Sequence, residues 1–368
     1  MIYFDNASTT RVDDDIIDLM AKSMRENFGN PSSLHSLGFK AEKEVEKARK
    51  TIADRLGVDK EDFFFVPSGT IANNAVIKSS LVNKKNPNLV TTSLEHSSIY
   101  NLVTDLKDCE LRLVKTDGFG FVDLEDLEKK IDENTVLVSI IHVNNELATI
   151  NDLYAIGSVV KKKNPSCLFH SDGVQAFCKI EADLSLVDFY TVTSHKINGP
   201  QAIAGLYIKN PSSFNPLYLG GKQEKGVFPA TENVAGIEGF AKAVEKNQNY
   251  DKIEKLNGLM REEILKIEDS RINSPRENSS PYILSLCFKN IKAEVLLHYL
   301  EMDEVYVSTG SACNKGAKSR VIENLGLDKD YSDGCIRVSF DKNSSEEEVF
   351  DFIRILKEKI EIIRSIMR

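Results

Sequence analysis

Between about residues 60 and 210, short apolar runs alternate with segments whose apolar positions recur at helical spacing. That alternation predicts an α/β fold built on a mainly parallel sheet. The expected strands are 63–66, 89–92, 111–115, 135–143, 167–170, 188–192 and 203–208. Most are continuously apolar and rich in Val and Ile, as strands covered on both faces are. Helical patterns at 13–27, 40–56, 70–83, 97–106 and 152–163 precede and separate them.

After Gly236 the pattern changes to one long helix, 237–268, and then to the Pro- and Asn-containing stretch 273–281. The shift marks a domain boundary. The expected division is a large domain over residues 14–250 and a smaller α+β domain made of 1–13 and 251–368. The smaller domain is expected to hold strands at 282–288 and 334–340, a helix at 293–301, a loop around Cys313 and a final helix. For that helix Ser344 and Glu347 have capping-box spacing, and Val349, Ile353, Leu356, Ile360 and Ile363 recur at helical intervals.

Composition narrows the function classes. At 368 residues the chain can bury a large core and divide it between two domains. Net charge is −9 and the basic runs are short, Lys161-Lys162-Lys163 being an example, so no footprint for nucleic acid is expected. No stretch is apolar and long enough to span a bilayer. The start, Met1-Ile2-Tyr3-Phe4-Asp5, lacks the basic and apolar regions of a secretory signal, and the expected location is the cytoplasm. Six cysteines at irregular spacing, without C-x-x-C, argue against a metal cluster or a disulfide framework and read as reduced thiols.

The candidate chemistry lies at strand ends. Ser68-Gly69-Thr70 joins an apolar strand to a helix, where it serves either as an N-cap or as a cup of N–H groups for a phosphate. His96 follows the next strand of interest, and an imidazole there stacks on a flat ligand, shuttles protons or is merely a polar loop residue. Asn145 follows 135–143, Asp172 and Gln175 follow 167–170, and Thr193, His195 and Lys196 follow 188–192. Five strands thus send polar groups to one edge of one sheet, the edge where α/β proteins bind ligands. A lysine amine and a carboxylate at adjacent strand mouths are what pyridoxal phosphate (PLP) needs, one to hold its aldehyde and one to keep its ring nitrogen protonated. The fingerprints G-x-G-x-x-G, G-x-x-x-x-G-K-[ST] and G-x-S-x-G are absent from these turns. Cys313, in Gly310-Ser311-Ala312-Cys313-Asn314-Lys315-Gly316, sits among small and polar residues that suit an exposed, reactive thiol on a mobile loop. Arg337 alternates out of an apolar strand, either as an ion-pair partner or as a clamp for a carboxylate.

These residues form an ordered series with Phe4-Asp5-Asn6-Ala7-Ser8-Thr9-Thr10, Gly29-Asn30-Pro31-Ser32-Ser33-Leu34-His35, Glu95-His96-Ser97, Val143-Asn144-Asn145-Glu146 and Gly199-Pro200. In this series the chain resembles, from end to end, the cysteine desulfurases of the NifS/IscS kind, in the class V aminotransferase branch of fold-type I PLP enzymes. The resemblance implies a PLP-binding large domain, L-cysteine as substrate, a sulfur-acceptor protein and a homodimer. It further implies that Lys196 forms the Schiff base, Asp172 pairs with the pyridinium nitrogen and His96 stacks on the ring. Gln175 and Asn145 would contact the ring oxygen or the substrate. Ser68, Gly69, Thr70, Thr193 and His195 would hold the phosphate, joined by Thr231 of the partner subunit. Arg337, Asn145 and Asn6 would bind the substrate, and Cys313 would take its sulfur as a persulfide. A selenocysteine lyase, an aminotransferase of the same branch and an inactive sulfur-relay scaffold are the alternatives.

The chain departs from the family pattern at Phe228-Pro229-Ala230, at Leu147-Ala148 and at Gln201-Ala202-Ile203-Ala204. These departures mark a divergent subgroup and remove no group that the chemistry needs.

Overall fold

The computed structural model describes residues 1–246, 248–309 and 319–367. Its centre is a seven-stranded sheet in which β2 (Phe63–Val66), β8 (Ala204–Ile208), β7 (Phe189–Thr193), β6 (Leu168–Asp172), β5 (Thr135–Ser139), β3 (Asn88–Thr92) and β4 (Glu110–Val114) lie side by side in that order. Only β8 runs against its neighbours, pairing antiparallel with both β2 and β7. The remaining pairs are parallel, which leaves most strand ends on one edge. β2, β3, β7 and β8 are buried along their whole length, as the unbroken apolar runs predict.

Helices cover both faces. On one, α1 (Asp14–Glu26), α2 (Ser36–Leu56), α6 (Leu153–Lys163) and α7 (Val234–Val244) contribute to a cluster that contains Ile16, Ile52, Ile156, Phe240 and the sheet residues Phe63 and Tyr190. On the other, α3 (Gly69–Leu81) and α4 (Ser97–Asp105) pack Val76 and Ile99 over Phe64 and Leu206. A separate apolar cluster joins Ile2 and Phe4 to α8 (Tyr250–Ile264), α9 (Ala293–Glu301), α12 (Glu346–Met367) and a three-stranded sheet. That sheet runs β12 (Cys335–Ser339), β10 (Ile283–Phe288), β9 (Ser270–Ile272). β1 (Ile2–Tyr3) pairs with β11 (Val305–Tyr306), so the N-terminus is sewn into the C-terminal part of the chain.

Four expectations change. The strand expected over 135–143 stops at Ser139, because its neighbour β3 ends at Thr92. Beyond it, Ile140 and His142 N–H still donate to the β6 side, at His170 O and Asp172 O, while His142 O accepts from Asn151 N–H (2.8 Å) rather than from β3. The helix expected over 237–268 is two helices, with Asn249 before α8 in the left-handed conformation (φ 56°) that asparagine tolerates. The capping box of α12 falls one position later than expected. Ser345 N–H donates to Glu348 Oε2 (2.9 Å), and Glu348 N–H donates to Ser345 Oγ (3.2 Å).

The fourth correction concerns the cysteines: Cys287 and Cys335 are joined in a disulfide. Sheet register places them opposite each other on β10 and β12. Phe288 N–H donates to Gly334 O, so the cysteines occupy the adjoining non-hydrogen-bonded pair, where facing side chains lie closest. Nothing in their spacing of 48 residues shows this.

Candidate active site

A cavity of about 400 Å³ opens at the sheet edge where β2, β3, β5, β6 and β7 end. Ser68, Gly69, Thr70, His96, Asn145, Asp172, Gln175, Thr193, His195, Lys196 and Arg337 all line it. Residues far apart in the sequence meet here because parallel strands place their C-terminal turns together.

Lys196 ends the short turn Ser194–Lys196 that follows β7. Its Nζ donates to Ala7 O (2.6 Å) and Ser8 O (2.5 Å), so the N-terminal segment forms the amine's immediate surroundings. Burial pushes the amine down to about 7, and the positive charges of Arg337 and Lys179 act in the same direction. A substantial neutral fraction is therefore present near neutrality.

Asp172 is the last residue of β6. Its Oδ2 accepts from Asn73 Nδ2 (2.8 Å) and its Oδ1 from Val174 N–H (3.0 Å). Gly173 lets this turn lie against β7, since a Cβ there would fall 2.0 Å from Tyr190 Cζ. Asn73 Nδ2 also donates to Ser98 Oγ (2.9 Å), which lies 2.8 Å from His96 Nδ1. Ser98 N–H donates to the same Nδ1 (3.2 Å), so the neutral imidazole carries its proton on Nε2. Burial lowers the His96 pKa and favours that neutral ring.

The opening of α3 supplies N–H groups. Ser68 Oγ accepts from Ile71 N–H (3.3 Å), while Gly69 and Thr70 form the first turn. Across the cavity, Thr193 Oγ1 donates to Ile203 O (3.4 Å), and His195 Nδ1 lies 3.2 Å from Thr9 Oγ1. Burial pushes the His195 imidazole down to about 3, with the Lys196 charge adding to the effect, so it is neutral at physiological pH.

Arg337 comes from β12 and is 4% exposed. Its guanidinium donates to Asn145 O (3.0 Å), Asp5 Oδ1 (2.9 Å) and Ser8 Oγ (2.6 Å), while Nε is buried without a partner. Gln175 Nε2 donates to Ala7 O (2.9 Å) and leaves Oε1 buried and unpartnered. Unmet donors and acceptors in a cavity are what a polar ligand satisfies.

Two expected site residues among the described ones lie elsewhere. Asn6 is buried beside the cavity, donating to Tyr3 O and Ser339 O (both 3.0 Å), and so fixes the segment that presents Ala7 and Ser8. Thr231 is exposed and lines a smaller pocket with Phe228 and Ala230. Cys313 lies outside the described residues. Among the described residues, no group of three or more His, Cys, Asp or Glu side chains could hold a metal ion, and no helix is long and apolar enough to cross a membrane.

The class-V aminotransferase profile matches residues 2–352, nearly the whole chain. The chain belongs to that family. Cysteine desulfurase IscS 1 of Archaeoglobus fulgidus is 34% identical, with 99% of this chain and 98% of the relative covered. Cysteine desulfurase IscS of Clostridium botulinum is 34% identical over 96% of this chain and 93% of the relative. Among solved structures, a NifS-like protein shares 35% identity at a TM-score of 0.92, covering 98% of this chain and 99% of its own. SspA in complex with cysteine shares 27% at 0.84, covering 94% of this chain and 100% of its own.

Within this class-V fold, sequence reasoning overlooked Asn73, Glu95, Glu146, Ser319 and Arg320, which also line the cavity. Asn73 had a signal, being an amide one helical turn beyond Gly69 in a helix interior, where asparagine is a poor former. Burial pushes Glu95 up to about 8; it accepts from Thr92 Oγ1 (2.9 Å) and Ile141 N–H (3.1 Å). Burial pushes Glu146 up to about 7, and the Ser319 hydroxyl donates to it. Neither carboxyl has a local sequence pattern that reports burial.

Proposed function

We propose that this chain is a PLP-dependent cysteine desulfurase, converting L-cysteine to L-alanine and passing the sulfur to Cys313. The observation that carries the reading is the meeting of Lys196, Asp172, His96 and Arg337 around one cavity. The relatives' names and the family add to it.

The cavity's donors and acceptors fit the cofactor. Lys196 presents an amine held near neutrality for its aldehyde. Asp172 is oriented by Asn73 and Val174 and so would face the ring nitrogen as an anchored carboxylate. The unpartnered Gln175 Oε1 and the side chain of Asn145 would meet the ring oxygen or the substrate. Ser68, Gly69 and Thr70 at the α3 N-terminus, with Thr193 and His195, would hold the phosphate. Thr231 of the partner subunit would complete that cup. When bound, the cofactor supplies an electron sink for the charge left on the substrate's Cα.

The chain's own groups supply the remainder. Lys196 takes the Cα proton as a neutral base. Arg337 holds the substrate carboxylate through its free Nε–H and fork geometry, with Asn145 beside it. The Cys313 thiolate attacks the substrate sulfur; the new S–S bond forms as the Cβ–S bond breaks, the electron pair left on Cβ takes a proton, and Lys196 returns the proton to Cα, which gives alanine. His96, neutral with its proton on Nε2, would stack on the ring and offer that proton as a donor. The persulfide then passes to an acceptor protein. A homodimer fits the exposed apolar residues Met24, Phe28, Leu34 and Phe39, which cluster in sequence around Gly29-Asn30-Pro31-Ser32-Ser33-Leu34-His35. The division into a PLP-binding large domain and a smaller domain agrees with the separate apolar clusters.

The test is Cys313→Ser. Alanine and sulfide release from L-cysteine should fall on the order of a thousandfold or more, while the cofactor's absorbance band persists. Undiminished release would overturn the persulfide step. A purified protein that cannot be reconstituted with PLP would overturn the enzyme reading in favour of a relay scaffold.

A further inference from the structure

The chain re-enters the described structure at Ser319, six positions after Cys313. Both residues at this point are fastened to the cavity wall. Ser319 Oγ accepts from Ile322 N–H (3.3 Å), capping α10 (Arg320–Asn324), and its hydroxyl donates to the buried Glu146. Arg320 Nε donates to Ser93 O (2.6 Å), and its NH2 group donates to Glu95 O. The guanidinium carbon stands 3.5 Å from the centre of the Tyr100 ring. A planar fork reaches two carbonyls two residues apart and stacks on an aromatic face, which an ammonium cannot do.

We propose that Arg320, with Ser319, is a positioning residue for sulfur transfer: it fixes the C-terminal exit of the Cys313 segment against the Ser93 to His96 turn and Glu146. The proposal rests on the desulfurase reading and concerns a residue to which that reading gives no role. The two walls are already joined to each other, since Asn144 Nδ2 donates to Leu94 O (3.0 Å). The Ser93 to His96 turn has further anchors in Thr92 and Ile141, both bonded to Glu95. Removing Arg320 therefore loosens the 319–320 side and leaves the His96 side held. Chemistry that needs Cys313 should suffer, and chemistry that needs only Lys196 should not.

The experiment uses the PLP-loaded enzyme and two reactions: desulfuration of L-cysteine, and exchange of the Cα hydrogen of L-alanine in D2O, which needs no thiol. In Arg320→Ala, kcat for desulfuration should fall on the order of tenfold or more, with KM and Cα exchange within about twofold of the parent. Arg320→Lys should not restore the rate, and Ser319→Ala should lower it in the same pattern. Full rescue by lysine would overturn the proposal in favour of a simple charge effect. Exchange falling in step with desulfuration would overturn it by placing Arg320 on the cofactor side. Failure of the underlying reading is separate, because it shows as undiminished desulfuration by Cys313→Ser whatever Arg320 does.

Discussion

Lys196 keeps its amine where charge is disfavoured, and the pH consequence follows from that. Its folded-state value is about 7 against an ordinary 10.5, so between these limits the unfolded chain binds the extra proton. The cofactor-free protein should accordingly gain stability as pH rises from about 7 towards 10.5, and the cost of burying an ammonium is fully present below that window. Acylation of Lys196 in the cofactor-free protein, followed by mass spectrometry, should be half-maximal near pH 7; a midpoint near that of free lysine would contradict the burial argument. The identities of Lys196, Asp172, His96 and Arg337 as candidates were legible in the sequence, because each is a reactive type beside an apolar run. Glu95 and Arg320 were not, since they act through contacts with residues 46 and 227 positions away, and Asn73 showed only as a poor helix former, its partner Asp172 lying 99 positions on.

At the scale of elements, local chemistry predicted starts and stops only where it was not overruled by neighbours. The α12 cap is a local device, and Ser345→Ala should cost about 0.5–2 kcal/mol in denaturant unfolding. Ser344→Ala should cost the cap less, because Ser344 Oγ instead accepts from Asp341 N–H (3.1 Å) in the preceding turn. The end of β5 at Ser139 has no local cause, since 140–143 is as apolar as the strand and loses its partner only through the length of β3. The disulfide likewise depends on ladder register. Thiol titration of the denatured, unreduced chain should leave Cys287 and Cys335 unreacted, and pretreatment with reductant should expose both. Reaction of both before reduction would refute the pairing.

At the scale of the whole molecule, the N-terminal strand matters more than its length indicates. β1 pairs with β11, Phe4 packs on Phe340 and Phe352, and the next residues, Ala7 and Ser8, accept from Lys196. The two apolar clusters are thereby tied together across the cavity. The exposed residues Phe28 (68% exposed) and Leu34 are the largest apolar cost of an isolated chain around the Gly29 to His35 turn. If the proposed dimer forms through this face, Phe28→Glu combined with Leu34→Glu should lower the sedimentation mass to that of a monomer, with a parallel loss of PLP retention because the partner subunit's Thr231, proposed to complete the phosphate cup, would be absent. An unchanged mass would place the interface elsewhere.

By itself the sequence determined the α/β alternation, the burial of the central strands and the reactive residue types at their ends, because apolar periodicity and strand-end turns are local properties of the chain. The resemblance it carries determined the family. Tertiary structure alone decided which of those ends face one cavity, which carboxyls are buried beside it, and that Cys287 meets Cys335. These depend on strand order and register, which are set by packing between segments that the sequence separates. Ser319 and Arg320 show the same division: a serine and an arginine before a short helix are unremarkable in sequence, and become a clasp only where the sheet edge offers them Glu146, Ser93 O and Glu95 O.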